Sequence, residues 1–110
     1  MNKIKIFSAF LFFVLGIISV YFFWRGTVFL SFLLMGLSFL KHKVIPIRKE
    51  LEIFIISGLI GSLGESFIMI SGAWSYASHQ ILNFPVWLPL LWGLAGITGI
   101  STYEGLLEKQ

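Results

Sequence analysis

The sequence has no cysteine, only two histidines and few charged residues, and each shortage excludes a class of site. Without cysteine there can be no disulfide framework, thiolate metal site or thiol nucleophile. With His42 and His79 as the only histidines, a multi-histidine metal site is not expected. No nucleotide-binding glycine loop or nucleophile elbow occurs either. We therefore expect no metal and no cofactor.

The shortage of charge predicts a membrane protein. Charged residues make up 12% of the chain, against about 25% in soluble domains, while 57% of its 110 residues are hydrophobic. Small domains bury only roughly 60% of the surface that the unfolded chain exposes. The remaining apolar surface is expected to face membrane lipids. Basic residues are not interleaved with aromatic ones along one face, so we expect no nucleic-acid partner.

Four apolar stretches predict one all-α domain over residues 1–110, an integral membrane bundle of four transmembrane helices. A helix needs roughly 20 residues to cross the hydrocarbon core. The first stretch could be a signal peptide, but it is too long and lacks a small-x-small cleavage site. The second is short and crosses only if Lys41 and Lys43 extend their amines to the interface. The predicted helices are 4–24, 27–43, 51–71 and 85–103, the last one starting at Pro85.

Basic residues predict the orientation of these helices. Positive charge flanking membrane helices is enriched on the cytoplasmic side. All basic residues except Arg25 fall on one predicted side, namely Lys3, Lys5, Lys41, Lys43, Arg48, Lys49 and Lys109. The prediction is therefore a multi-pass protein of the inner membrane with both termini in the cytoplasm.

Glu65 is the residue on which the functional hypotheses depend. It lies about fourteen positions into the third predicted helix, or roughly 21 Å at 1.5 Å per residue. A carboxyl group at such depth is costly, so intramembrane acids usually face a bundle interior or a wet cavity. Glu65 could act as a general acid. It could equally be structural, protonated or hydrogen-bonded to Ser62, Ser66 or a partner helix.

Small residues mark one face of each of the last two helices. They recur at spacings of three and four residues, which places them on a common helical face. Small residues allow neighbouring helices to approach closely. We predict that the two helices pack through these faces, with Glu65 enclosed at or near the contact. The residues are Gly58, Gly61 and Ser62 in the third helix and Gly93, Gly96 and Gly99 in the fourth.

Aromatic residues predict a pocket around Glu65 near the outer end of the bundle. Trp92 lies at the depth of Glu65 and Trp87 lies above it, while the preceding loop could fold over this end. Tryptophan and tyrosine are also typical interface anchors, so packing alone would explain them. The candidate site has Glu65 as its catalytic residue and a lining of Trp74, Tyr76, His79, Trp87 and Trp92.

The segment 51–107 resembles two membrane families through three short motifs. These are GSLGE at 61–65, GAWSYA at 72–77 and FPVWLPLLW at 84–92. The pattern is similar to small bacterial inner-membrane proteins classed as a domain of unknown function, which have similar length and an acid at the position of Glu65. That resemblance implies no activity.

The motifs are also similar to carotenoid hydratases and related carotenoid-biosynthesis membrane proteins. Those proteins have a membrane glutamate, a downstream glycine-aromatic-x-tyrosine element and a proline-rich start to the next helix. The resemblance implies that Glu65 protonates an isoprenoid double bond in a pocket shaped by Tyr76 and Trp92.

Three functional hypotheses remain open at this point. In the first, the protein binds a lipid or isoprenoid near Glu65 and is either an enzyme or a binding protein. In the second, Glu65 cycles between protonation states in a proton-coupled carrier, which implies a homodimer because four short helices enclose little space. In the third, the chain is a structural subunit whose glycine faces dock helices of a larger membrane complex.

Overall fold

A computed structural model describes residues 1–108 and confirms the prediction of an all-α four-helix bundle. Its helices are α1 (Lys3–Phe23), α2 (Thr27–Val44), α3 (Glu50–Met69) and α4 (Leu88–Leu107). Short connections join the first three helices, whereas a longer loop precedes α4.

Helices α1, α2 and α3 are long and apolar enough to cross a membrane. Large apolar side chains lie exposed along all three, for example Phe7, Phe32 and Phe67. Exposed apolar surface of this extent is typical of a protein that contacts lipid or other apolar partners. These features suggest a multi-pass membrane protein.

Helix α4 has the length of a membrane helix, but it is not among the three spanning candidates. Its composition follows from its position at the centre of the bundle. It packs most extensively on α3, then on α1, and also contacts α2. Its buried residues include Thr98, Ser101 and Gly105 as well as Leu94 and Ile97. A helix that faces other helices can use small and weakly polar residues where a lipid-facing helix uses large apolar ones.

Glycines allow α3 and α4 to approach closely at two points along their contact. A Cβ atom built on Gly58 would lie 2.6 Å from the backbone oxygen of Pro89. One built on Gly93 would lie 2.7 Å from the ring of Phe54. Each helix therefore provides a gap that the other helix fills.

The same packing of a glycine against a group of the facing helix recurs further along the two helices. A Cβ on Gly61 would overlap the indole of Trp92, and one on Gly96 would overlap the side chain of Ser57. Ser62 is buried on the same helix.

Gly99 lies elsewhere than predicted. A Cβ atom on it would meet no atom within 4 Å in the part of the chain that the structure describes. It lines a shallow groove with residues of α1 such as Ala9 and Phe13, because α4 has turned this position away from α3.

The start of α1, the end of α4 and the α2–α3 connection lie at the same end of the bundle, which we call the basic end. The backbone N–H of Asn2 donates to the carbonyl oxygen of Gly105 at 2.7 Å, and Lys5 pairs with Glu108 at 2.8 Å. The short connections reverse the chain twice, so α3 starts at the end where α1 starts. The basic end carries Lys3, Lys5, Lys41, Lys43, Arg48 and Lys49, whereas Arg25 lies at the opposite end and Lys109 lies outside the described residues.

The last two helices have different bounds from those predicted. Helix α3 ends at Met69, and the chain then turns through Gly72, whose φ of +87° suits glycine. Helix α4 begins at Leu88, because Pro85 belongs to the preceding turn, where its carbonyl accepts the Leu88 N–H at 3.1 Å. Pro89 is the proline in the first turn of α4.

We predict that Gly58→Ala destabilises the bundle and that Gly64→Ala does not. The new methyl group at position 58 meets a backbone carbonyl that no rotamer change can move, and overpacking of this kind costs about 1–3 kcal/mol. At position 64 nothing in residues 1–108 lies within 4 Å, so the alanine gains up to about 1 kcal/mol of helix propensity. Thermal unfolding in detergent, followed by circular dichroism, measures the difference. Equal stability of the two variants would contradict the close approach of α3 and α4.

Candidate functional site

Glu65 accepts hydrogen bonds at both carboxyl oxygens. The hydroxyl of Tyr76 donates to Oε1 at 2.7 Å, and the indole N–H of Trp92 donates to Oε2. The three side chains come from α3, from the loop 70–87 and from α4. An ionised carboxylate has only acceptor atoms, so two donors on its two oxygens match it well. The glutamate therefore links three separate segments of the chain.

Trp92 reaches Glu65 because of the glycine that precedes the acid by one helical turn. Positions 61 and 65 lie on the same face of α3. The Trp92 indole lies where a side chain at Gly61 would be. The missing side chain thus gives room for the ring, and the acid one turn further on accepts its N–H.

Tyr76 packs edge-on against Trp87. Their ring centroids are 5.8 Å apart and the ring planes are inclined by 89°, a favourable geometry for an aromatic pair. Trp87 is buried and Tyr76 is half-buried. Burial, followed by the hydrogen bond to Glu65, raises the pKa of Tyr76 above its ordinary value. Its hydroxyl therefore stays protonated, and remains a donor, at neutral pH.

Ser66 and Asn83 anchor the loop that carries Tyr76. The Ser66 hydroxyl donates to Oδ1 of Asn83 at 2.6 Å, and Nδ2 of Asn83 donates to the Ser66 carbonyl at 3.1 Å. The buried Phe84 follows directly and closes a tight bridge with Ile81. The sequence predicts Ser66 only as a possible partner of Glu65, whereas the structure bonds it to Asn83 near the end of the loop.

A groove of about 210 Å³ lies between this loop and the end of α1. Of the predicted pocket residues, only Tyr76 and Trp87 belong to it. Val20 of α1 and Trp24, which directly follows α1, form the opposite wall, and the sequence does not predict them because nothing local relates α1 to the loop. The full lining is Val20, Trp24, Ser75, Tyr76, Ala77, Ser78 and Trp87, which we call the tyrosine groove.

The remaining predicted pocket residues lie outside this groove. Trp92 lies on the other side of Glu65, where it borders a shallow surface groove with Gly61 and Gly96. Trp74 and His79 are exposed in the loop. The structure therefore divides the predicted pocket in two, with Glu65 bonded to one residue on each side.

A second polar cluster, at the basic end, was not anticipated. Lys41 is fully buried rather than extended to the interface, and its Nζ lies 2.9 Å from Oε2 of the buried Glu50. Oε1 of Glu50 is 2.8 Å from Nδ1 of His42 and accepts the backbone N–H of Ile47 at 3.0 Å. Within residues 1–108, no group of three or more acidic or histidine side chains is arranged to hold a metal ion.

We predict that the Tyr76 hydroxyl ionises well above about pH 10, the ordinary value for tyrosine. Because the folded pKa lies above the unfolded one, the stability that this group contributes is complete below about pH 10 and is lost as the pH rises through the folded pKa. The ultraviolet difference spectrum between the wild type and Tyr76→Phe isolates this ionisation. Glu65→Gln should lower its midpoint, since the accepting carboxylate is one cause of the shift. A midpoint in the wild type near that of free tyrosine, about 10, would contradict the hydrogen bond.

We predict that Glu50→Gln destabilises the bundle by about 3 kcal/mol, because it leaves the buried ammonium of Lys41 without a counter-charge. The matched control is Glu52→Gln on the same helix, where the side chain is exposed. Its effect should stay below about 0.5 kcal/mol. Unfolding in detergent compares the two variants, and equal effects would show that the buried ion pair does not form.

Comparison of the chain with protein-family models, curated proteins and solved structures finds no significant match to any of the three.

Proposed function

We propose that this protein crosses the inner membrane four times, with both termini in the cytoplasm, and binds a hydroxyl-bearing lipid or isoprenoid in the tyrosine groove. The observation that carries the proposal is the pairing of Tyr76 with Trp87 in a groove with largely apolar walls.

The packing of α4 supports its crossing of the membrane. At 1.5 Å per residue, its 20 residues extend about 30 Å, which matches the hydrocarbon core. It packs along α3 and α1, both of which are long and apolar enough to span. The basic end supports the orientation, because positive charge is retained on the cytoplasmic side.

The Tyr76 oxygen defines the chemistry of the ligand. It donates its own proton to Glu65 but can still accept one. A ligand hydroxyl in the groove would donate to it. The indole N–H of Trp87 is enclosed by protein atoms, so the Trp87 ring contributes only an apolar wall.

Glu65 fits a positioning role better than that of an acid acting on the ligand. Both of its oxygens are already engaged by Tyr76 and Trp92. Protonation of an isoprenoid double bond, which the carotenoid-family resemblance implies, would require one of these bonds to open. We therefore assign to Glu65 the orientation of the Tyr76 hydroxyl.

The two other hypotheses have less support. Gly58, Gly61, Gly93 and Gly96 already contact the facing helix inside the bundle, so within residues 1–108 Gly99 is the one predicted glycine that is open to a helix of another subunit. A proton carrier would need Glu65 to exchange its hydrogen-bond partners during each cycle, and both donors hold it between two helices and a loop.

The experiment is native mass spectrometry of the detergent-purified protein, scoring retained lipids. We expect a defined hydroxyl-bearing lipid on the wild type and a loss of about tenfold in Tyr76→Phe, as for one hydrogen bond of about 1.4 kcal/mol. Glu65→Gln should also weaken binding, because the amide keeps only one acceptor oxygen for the two donors, Tyr76 and Trp92.

Glu52→Gln is the matched control, since it makes the same substitution at an exposed position of the same helix. Identical, nonspecific lipids on all four proteins would refute the binding proposal. A proton-dependent flux in liposomes that Glu65→Gln abolishes would instead identify a carrier.

A further inference from the structure

A second groove lies at the basic end, between α2 and α3. Both helices pack against other helices, but in residues 1–108 they barely touch each other. The gap between them has a volume of about 400 Å³, and Ile97 of α4 forms part of its wall. We call it the α2–α3 groove. It is lined by Met35, Ser38, Phe39, His42, Ile47, Lys49, Glu50, Leu51, Phe54 and Ile97.

The walls of the α2–α3 groove suit an acyl chain. Apolar side chains form most of the lining, and Met35, Phe39 and Leu51 are exposed, so the groove opens to the outside of the bundle. Since α2 and α3 are both candidate membrane helices, this opening faces the lipid. A volume of this size would hold only about one turn of a helix about 10 Å across. It lies within the range of about 300–1,000 Å³ that is typical of small-molecule sites.

The mouth of the α2–α3 groove carries net positive charge. Its one acid, Glu50, is already neutralised by Lys41 and hydrogen-bonded by His42. Lys49 lines the mouth with 75% of its side chain exposed. Lys43 lies over the Phe39 ring at 5.2 Å from the centroid.

The Lys49 side chain is free to meet a ligand. Its nearest acid, Glu52, is 4.0 Å away, and an ion pair between two exposed side chains at that distance is weak. Lys49 also has a left-handed backbone conformation, with φ of 56°, which glycine or asparagine would adopt more easily. A lysine therefore occupies a position where the backbone favours another residue.

We propose that the α2–α3 groove binds an anionic phospholipid, with one acyl chain between α2 and α3 and the phosphate between Lys43 and Lys49. Basic residues at the cytoplasmic ends of membrane helices attract anionic headgroups, and here they border an apolar opening of matching size. This site lies at the opposite end of the bundle from Glu65; it rests on the membrane placement proposed above but not on ligand binding in the tyrosine groove.

The test measures binding of phosphatidylglycerol and phosphatidylcholine with identical acyl chains, by native mass spectrometry of the full chain in detergent. We expect phosphatidylglycerol to bind the wild type more tightly. Lys49→Gly should weaken phosphatidylglycerol about fivefold, as for the loss of one basic residue near a headgroup, and should leave phosphatidylcholine unchanged. Glycine relieves the strain of the left-handed backbone at this position. The melting temperature of the Lys49→Gly variant should therefore equal or exceed that of the wild type, which separates loss of binding from misfolding.

Two further variants test the charge and the groove separately. Lys3→Gln removes an exposed lysine from the same end and should change the affinity less than twofold, about what general surface charge contributes. Met35→Trp fills the groove without changing charge and should weaken both lipids, whereas Phe32→Trp, on the exposed surface of α2 outside the lining, should weaken neither.

Equal affinity for the two lipids, or equal effects of Lys49→Gly and Lys3→Gln, would overturn the proposal. A two-chain species that Met35→Trp dissociates would also overturn it, since a second copy would then occupy the groove.

Discussion

The close contact of α3 with α4 is the interaction on which the rest of the structure depends. Gly58 and Gly61 leave room for the first turns of α4, and Gly93 and Gly96 leave room for side chains of α3. Van der Waals packing of this kind drives helix association in lipid, where the hydrophobic effect does not bring helices together. The same contact also places Trp92 beside Glu65. One structural constraint therefore stabilises the bundle and builds the candidate site.

The two glutamates in the interior of the bundle, Glu65 and Glu50, both have hydrogen-bond partners on each carboxyl oxygen, but the partners differ. Glu65 is matched by two neutral donors, whereas Glu50 is matched by an ammonium, an imidazole and a backbone N–H. In each case the acid joins elements that are distant in the chain or separated by a turn. Ionisable groups within membrane segments are tolerated where such partners satisfy them.

The sequence predicts the features that repeat at helical spacing. It does not predict contacts between segments that are distant in the sequence. The four helices and the glycine faces of α3 and α4 follow from periodicity, and the structure brings Glu65, Tyr76 and Trp92 together. The sequence predicts Lys41 as an interfacial lysine. Its pairing with Glu50 is not predicted, because it depends on the turn between α2 and α3. Trp24 joins the tyrosine groove through tertiary packing alone, and the loop 70–87 carries no periodic pattern that could have placed its residues.

The central position of α4 has a consequence for the biogenesis of the protein. The first three helices leave the ribosome before α4 does, and each is long and apolar enough to be a candidate membrane span. The fourth is not among those candidates, and it packs on helices that are synthesised before it, whose glycines leave room for its first turns. Until it arrives, α3 has little to pack against, because its main partner in the bundle is α4. The contacts that complete the bundle can therefore form only after the last helix has been synthesised.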